Sequence, residues 1–181
     1  SCWMNNINYK NRGMFLEGLI NSTNLYYLNK DVALIYKKPT PIKVLKVEYK
    51  SAIISKAVYE RISTLDYNGL YRGKYIEFDC KECNSKTSFP ISNILKHQVN
   101  SIRGVLRHKG IVFILIYMNR RYFLLEGSTL IGYIDSNKKS ISYEEIVKTA
   151  HEIKEGLNPS LDYLKVIDKI VFEGEMNEKD N

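Results

Sequence analysis

Apolar and polar positions recur at two periods along this chain, and the switches between them divide it into elements. Residues 11–28 place Met14, Phe15, Leu19 and Leu25 at helical spacing, with Asn11 available as a cap. Val32 to Tyr36 is a short strand-forming run, stopped by the rigid basic loop Lys37-Lys38-Pro39-Thr40-Pro41. Lys43 to Tyr49 alternates with a period of two and predicts another strand. Residues 50–62 then interrupt the sheet pattern with small and apolar side chains among Lys50, Lys56 and Arg61, as a connection or a projecting element. Two alternating runs, 64–71 and 74–82, flank Arg72-Gly73. A helix is expected over 91–109, with Ile91, Leu95, Ile102, Val105 and Leu106 as its apolar stripe. Gln98 falls inside that stripe and His97 outside it. Ile111 to Met118 is uninterruptedly apolar and predicts a buried central strand. A turn at Asn119-Arg120-Arg121 and a strand from Tyr122 to Glu126 follow, then helices at 142–155 and 161–171. With no repeat, low-complexity stretch or linker, 1–181 reads as one α/β domain, a mixed central sheet flanked by helices.

The two runs around Arg72-Gly73 hold the candidate chemistry. A two-residue loop containing Gly closes a hairpin, which pairs Tyr71 with Lys74. Counting outward sets Asp66 opposite Asp79 and Thr64 opposite Lys81, all on one face, while Ile76, Phe78 and Cys80 point to a core. Two bare carboxylates about 5 Å apart repel by roughly 3 kcal/mol at an effective dielectric of about 20. A proton, the lysine or a divalent cation must therefore lie between them. The competing reading is a solvated hairpin face with incidental charges. Asn68-Gly69 is a stronger turn dipeptide still, and a hairpin closed there would not pair Asp66 with Asp79. Glu17, on the first helix, is a surface residue or a third acid near the hairpin. Gln98, on the buried stripe, is a hydrogen-bonded core amide or a contact in a metal's shell.

Composition narrows the partner. The net charge is +7, and the last nine residues, 173–181, hold four acids against one lysine. The remainder carries 26 basic and 16 acidic residues, which suits a polyanion. Three cysteines without a signal sequence suggest a reducing, cytoplasmic setting. Cys80-x-x-Cys83 lacks a second pair to complete a zinc site. No apolar run is long enough for a membrane helix, so no membrane partner is expected.

The order helix, strands, carboxylate hairpin, helix, strand, strand is that of the PD-(D/E)xK nuclease core, the restriction-endonuclease-like fold. Asp66 and Asp79-Cys80-Lys81 stand as its two halves. The flanks resemble one family within it, the RecU family of Holliday junction resolvases. The segments that carry the resemblance are Asn11-Arg12-Gly13-Met14, Ala33 to Pro41, Asp66-Tyr67-Asn68-Gly69, Gly73-Lys74-Tyr75-Ile76, Lys86 to Pro90, His97-Gln98 and Leu161-Asp162-Tyr163. They span about residues 9–171.

This resemblance implies a cytoplasmic, homodimeric, Mg²⁺-dependent endonuclease, with Mn²⁺ able to substitute. It would make paired symmetric nicks in four-way DNA junctions during recombination and repair. A recombinase filament or a branch-migration helicase is a further implied partner. The resemblance assigns Thr64, Asp66, Asp79 and Gln98 to the metal site, Lys81 to transition-state stabilisation, and a projecting helical stalk to residues 50–62. Arg12, Lys37, Lys38, Lys50, Lys56 and Arg61 would hold DNA. Residues 1–10 would be an N-terminal tail and 173–181 a disordered acidic one. Asp79 stands where the family typically has Glu, Cys80 where it has Ala, and Cys83 where it has Thr. That substitution leaves open a junction-binding protein with weak or no cleavage. A restriction-type nuclease on the same core is a third reading.

Overall fold

In a computed structural model, residues 14–173 are described. The first tail, the Asn11 cap, Arg12 and all of the acidic tail except Glu173 lie outside these residues.

The run Ile111–Met118 forms β7, and its strictly apolar sequence follows from burial on both faces. Phe113 and Leu115 point into one core cluster, Val112, Ile114, Ile116 and Met118 into the other. Around this strand the main sheet has six members: β1 (Leu34–Lys37), β4 (Tyr67–Tyr71), β5 (Lys74–Glu82), β7, β8 (Arg121–Glu126) and β10 (His151–Ile153). They lie side by side in that order. Only β5 and β7 run parallel, joined by a crossover that contains α2 (Lys96–Arg107). One face packs on α1 (Met14–Asn29) and α5 (Tyr163–Ile167), which continues as a π-helix over Asp168–Glu173. The other packs on α2, α3 (Gly127–Asp135) and α4 (Tyr143–Thr149).

One row of the sheet fixes the strands beside the hairpin carboxylates. Tyr67 pairs with Phe78, and Phe78 with Phe113. Their rings stack at 4.9 and 4.8 Å, and Tyr163 tilts over Phe78 at 5.0 Å. The row faces α1 and α5, so the neighbouring residues of β5 are turned to α2.

Arg72 and Gly73 have φ of 50° and 79°, and β4 pairs with β5 from Tyr71↔Lys74 onward. Asn119 and Arg120, at 52° and 59°, make the same kind of two-residue turn between β7 and β8. The rival turn at Asn68-Gly69 does not form. Gly69 lies inside β4, where β1 comes so close that a Cβ would sit 1.9 Å from the Leu34 carbonyl oxygen. The glycine serves strand contact, not a turn.

Several expectations need correction. The projecting segment is not helical. Lys43–Tyr49 and 50–62 combine into a two-stranded ribbon, β2 (Ile42–Glu48) with β3 (Ile53–Tyr59), separate from the main sheet. Ile53, Ile54, Val58 and Tyr59 are β-branched or aromatic, which favours a strand. The helix expected over 91–109 begins at Lys96. A 3₁₀ turn at Ile91–Asn93 precedes it, so Ile91 leaves the stripe, and Leu95 is about half exposed at the cap. The expected helix 142–155 shrinks to α4, between β9 (Ser140–Ser142, paired with β6, Ser88–Pro90) and β10. Helix α3 had no sequence counterpart. Among the described residues no helix is long and apolar enough to cross a membrane.

Candidate active site

Strand alternation on β5 turns Glu77, Asp79 and Lys81 towards α2, and Ile76, Phe78 and Cys80 towards the α1 side. Asp79 is 1% exposed. Its Oδ2 accepts a 2.7 Å hydrogen bond from Gln98 Nε2 and lies 3.1 Å from Lys81 Nζ. Its Oδ1 is buried and has no hydrogen-bond partner among the described residues. Burial pushes the Asp79 carboxyl up to about 6; Lys81 opposes this, and the neighbouring Asp66 carboxylate adds to it. Asp66 itself stands one residue before the Tyr67↔Phe78 pair, which carries the register on to Asp79.

Gln98 is held as tightly as the carboxylate it touches. Its Oε1 accepts from Leu95 N at 3.0 Å, closing the N-terminus of α2, and from Lys81 Nζ at 3.3 Å. The amide thus turns its nitrogen to Asp79 and orients both that carboxylate and the lysine. Thr64 Oγ1 accepts from Lys38 Nζ at 2.6 Å, and the same ammonium reaches Glu77 Oε1 at 3.2 Å. Lys38, expected on DNA, is therefore a largely covered residue of the site. Lys37 pairs with Glu17 at 2.8 Å and remains about half exposed. Glu17 raises the Lys37 pKa. Glu17 is thus tied to the basic loop and is not hydrogen-bonded to Asp79. Lys50, Lys56 and Arg61 are exposed, the first two on the ribbon and the third at its return to Thr64. Cys80 packs in the α1-side core and Cys83 in the other, so the sheet separates them.

A buried carboxylate oxygen without a donor, beside a second carboxylate and a lysine, suits a hard divalent cation. Among the described residues no three His, Cys, Asp or Glu side chains gather at one point. A cation would thus meet two carboxylates and complete its shell with water, as Mg²⁺ prefers.

Glu77 is the residue that sequence reasoning passed over. It is 2% exposed, and Leu65 N donates to its Oε1 at 2.8 Å and Ser101 Oγ at 3.0 Å. The signal was present, since Glu77 is two residues from Asp79 on an alternating strand.

A mixed sheet that brings two carboxylates and a lysine together at a β-hairpin, beneath a helix bearing an orienting glutamine, defines a nuclease-like α/β core. The family model of Recombination protein U matches residues 11–169, and the chain belongs to that RecU family. A relative from Shouchella clausii (strain KSM-K16) is 45% identical over 178 residues, covering 94% of this chain and 86% of its own. Relatives from Geobacillus sp. (strain WCH70) and Lactiplantibacillus plantarum are each 42% identical, covering 91% and 93% of this chain and 87% and 86% of their own. All three are named Holliday junction resolvase RecU.

Proposed function

We propose that this chain is a Holliday junction resolvase, an endonuclease that uses Mg²⁺ or Mn²⁺ to make paired nicks in four-way DNA during recombination and repair. The observation that carries this is the buried Asp79, one oxygen without a hydrogen-bond partner among the described residues and the other shared by Gln98 and Lys81, beside the Asp66 carboxylate. Asp66 and Asp79 would hold the metal, with Thr64 and Gln98 meeting its water shell, and the bound cation would supply a water-derived nucleophile and neutralise phosphate charge. Lys81, 20% exposed in its side chain, is placed by Asp79 and Gln98 to meet charge developing on the phosphate. Gln98 keeps both groups from rotating away. The exposed Lys37, Lys50, Lys56 and Arg61, with Arg12, would hold the sugar-phosphate backbone.

Two symmetric nicks call for two sites, and a homodimer supplies them. The β2–β3 ribbon supports this. An isolated two-stranded ribbon is marginally stable by itself, and Ile42, Val44, Leu45, Ile53, Ile54 and Val58 are each more than 40% exposed on it. A second copy packed on one face of the ribbon would cover Ile42, Val44 and Ile53 and leave Lys56, on the other face, to the junction. The site of action would be the cytoplasm, where the chromosome of a bacterium lies.

The test is incubation of the protein with a synthetic four-way junction and Mg²⁺ or Mn²⁺, with the nicks mapped on each strand. Nicks at symmetry-related positions, abolished by Asp66→Asn with binding retained, are expected. Lys81→Ala should also lose cleavage and keep metal binding. Tight junction binding without nicking by either ion would instead make the protein a binder, the reading that the Asp79 substitution leaves open.

A further inference from the structure

One buried carboxylate near the Asp66–Asp79 pair has no part in the reaction described above. Glu77 Oε1 accepts three hydrogen bonds: from Leu65 N at 2.8 Å, Ser101 Oγ at 3.0 Å and Lys38 Nζ at 3.2 Å. Its Oε2 accepts from the Tyr75 hydroxyl at 3.0 Å. A group this buried, with four donors aimed at it, is a built feature.

Its partners identify its task. Segment 64–66 lies beyond the last pairs of its strand, Tyr67↔Phe78 on one side and Lys37↔Tyr67 on the other. The sheet ladder therefore does not fix the backbone that carries Thr64 and Asp66. Two contacts do so in its place. Lys38 N donates to the Asp66 carbonyl at 2.7 Å, and Leu65 N donates to Glu77. The Lys38 side chain closes the loop by bridging Thr64 Oγ1 and Glu77 Oε1. Glu77 and Asp79 are two residues apart on one rigid strand. Whatever ties Leu65 to Glu77 therefore ties Asp66 to Asp79.

We propose that Glu77 is a positioning residue that, with Lys38 as its counter-ion, holds the Thr64–Asp66 limb of the site opposite Asp79. Its effect on cleavage rests on the resolvase reading; its effect on the limb does not. The carboxylate is required for two reasons. The negative charge strengthens all three bonds to Oε1, whereas a neutral amide oxygen would accept them more weakly. An amide also leaves the mostly covered Lys38 ammonium without its counter-charge beside Thr64.

The experiment compares wild type with Glu77→Gln, Lys38→Met and the double variant. Amide hydrogen exchange at Leu65 and at the central-strand residue Ile114 is followed by NMR, with Mn²⁺ affinity measured by titration calorimetry. In Glu77→Gln, Leu65 should exchange at least about tenfold faster while Ile114 keeps its protection. Mn²⁺ binding should weaken several-fold although Glu77 is not a ligand. Junction affinity should hold, and nicking should slow by up to on the order of a hundredfold, the loss that a 1 Å misplacement can bring. The double variant should be no worse than the poorer single one, because the two residues act through one contact. Wild-type protection of Leu65 together with wild-type Mn²⁺ affinity would overturn the proposal. So would equal loss of protection at Ile114, which would make Glu77 a general stability residue. A wild-type protein that nicks no junction would refute the resolvase reading, while the exchange result would still decide the role of Glu77.

Discussion

Asp79 works against the stability of the fold that positions it. Its carboxyl has an ordinary value of 3.8 and is raised to about 6, by burial first and then by Asp66, against the pull of Lys81. A carboxyl that holds its proton more tightly when folded stabilises the fold in its protonated form. That contribution is complete below about pH 4 and is lost as pH rises through 6. Asp79→Asn should accordingly raise the free energy of unfolding at pH 7–8 in metal-free buffer by on the order of 1–3 kcal/mol, read as a higher melting temperature, with the gain fading towards pH 4. A gain that does not change with pH would show that the charge is not the cause. Cleavage should respond in the opposite direction. Asp79→Ala should be inactive, and Asp79→Glu should keep or raise the Mg²⁺-dependent rate, because it restores the longer side chain typical of the family. If Asp79→Glu is as inactive as Asp79→Ala, the backbone has already adjusted to the shorter acid. The register from Tyr71↔Lys74 to Tyr67↔Phe78, which brings Asp66 up to Asp79, was legible in the sequence because a two-residue loop fixes the count on both strands. The roles of Glu77 and Lys38 were not. Alternation gives the face of a side chain but not its burial, and Lys38 reaches Thr64 only through the pairing of β1 with β4, which no local pattern specifies.

At the scale of elements, long-range pairing decided what local patterns left open. Asn68-Gly69 has the composition of a turn, yet the close approach of β1 claims Gly69 for the strand interior. Gly69→Ala should therefore destabilise the protein by at least about 2 kcal/mol in denaturant melts, since backbone atoms of Leu34 and Ile35 must move to admit the methyl group. A near-neutral result would mean that β1 is loosely held. The ribbon illustrates the same difficulty. The alternation of Lys43–Tyr49 identified a strand, but its partner lay in the segment expected to be helical, where lysines and small residues obscured the β-branched positions. Lys46 and Lys56 are direct cross-strand partners, so the ribbon carries like charges side by side. That arrangement costs stability unless an anion lies nearby. Replacing residues 44–57 by a short turn should leave affinity for linear duplex within about threefold and remove the preference for four-way DNA. Equal loss on both substrates would make the ribbon a general DNA clamp or a dimer prop, not a reader of junction shape.

For the whole molecule, the sequence charge makes a quantitative demand on binding. The chain carries +7 overall, and its last nine residues are net acidic, so the remainder is more basic than the total indicates. Lys37, Lys50 and Arg61 are exposed, and Lys56 joins them on the ribbon. A homodimer presents each of these twice. If each meets one phosphate, these eight contacts alone, without Arg12, release their counterions, and log affinity should fall against log salt with a slope at least as steep as about −7. Between 50 and 200 mM salt that is a loss of roughly 10³ to 10⁵ in affinity. The measurement is best made with Asp66→Asn, which should bind without cutting, on a four-way junction titrated by fluorescence anisotropy. The double variant Lys50→Gln with Lys56→Gln should make the slope shallower by nearly 4 in the dimer, because two of the four contacts on each subunit are removed. A shallow slope that the double variant leaves unchanged would mean that the ribbon's lysines do not meet DNA. The apolar cover expected between the two ribbons would then be their main task, and the junction would be held by the basic loop at Lys37 and its surroundings.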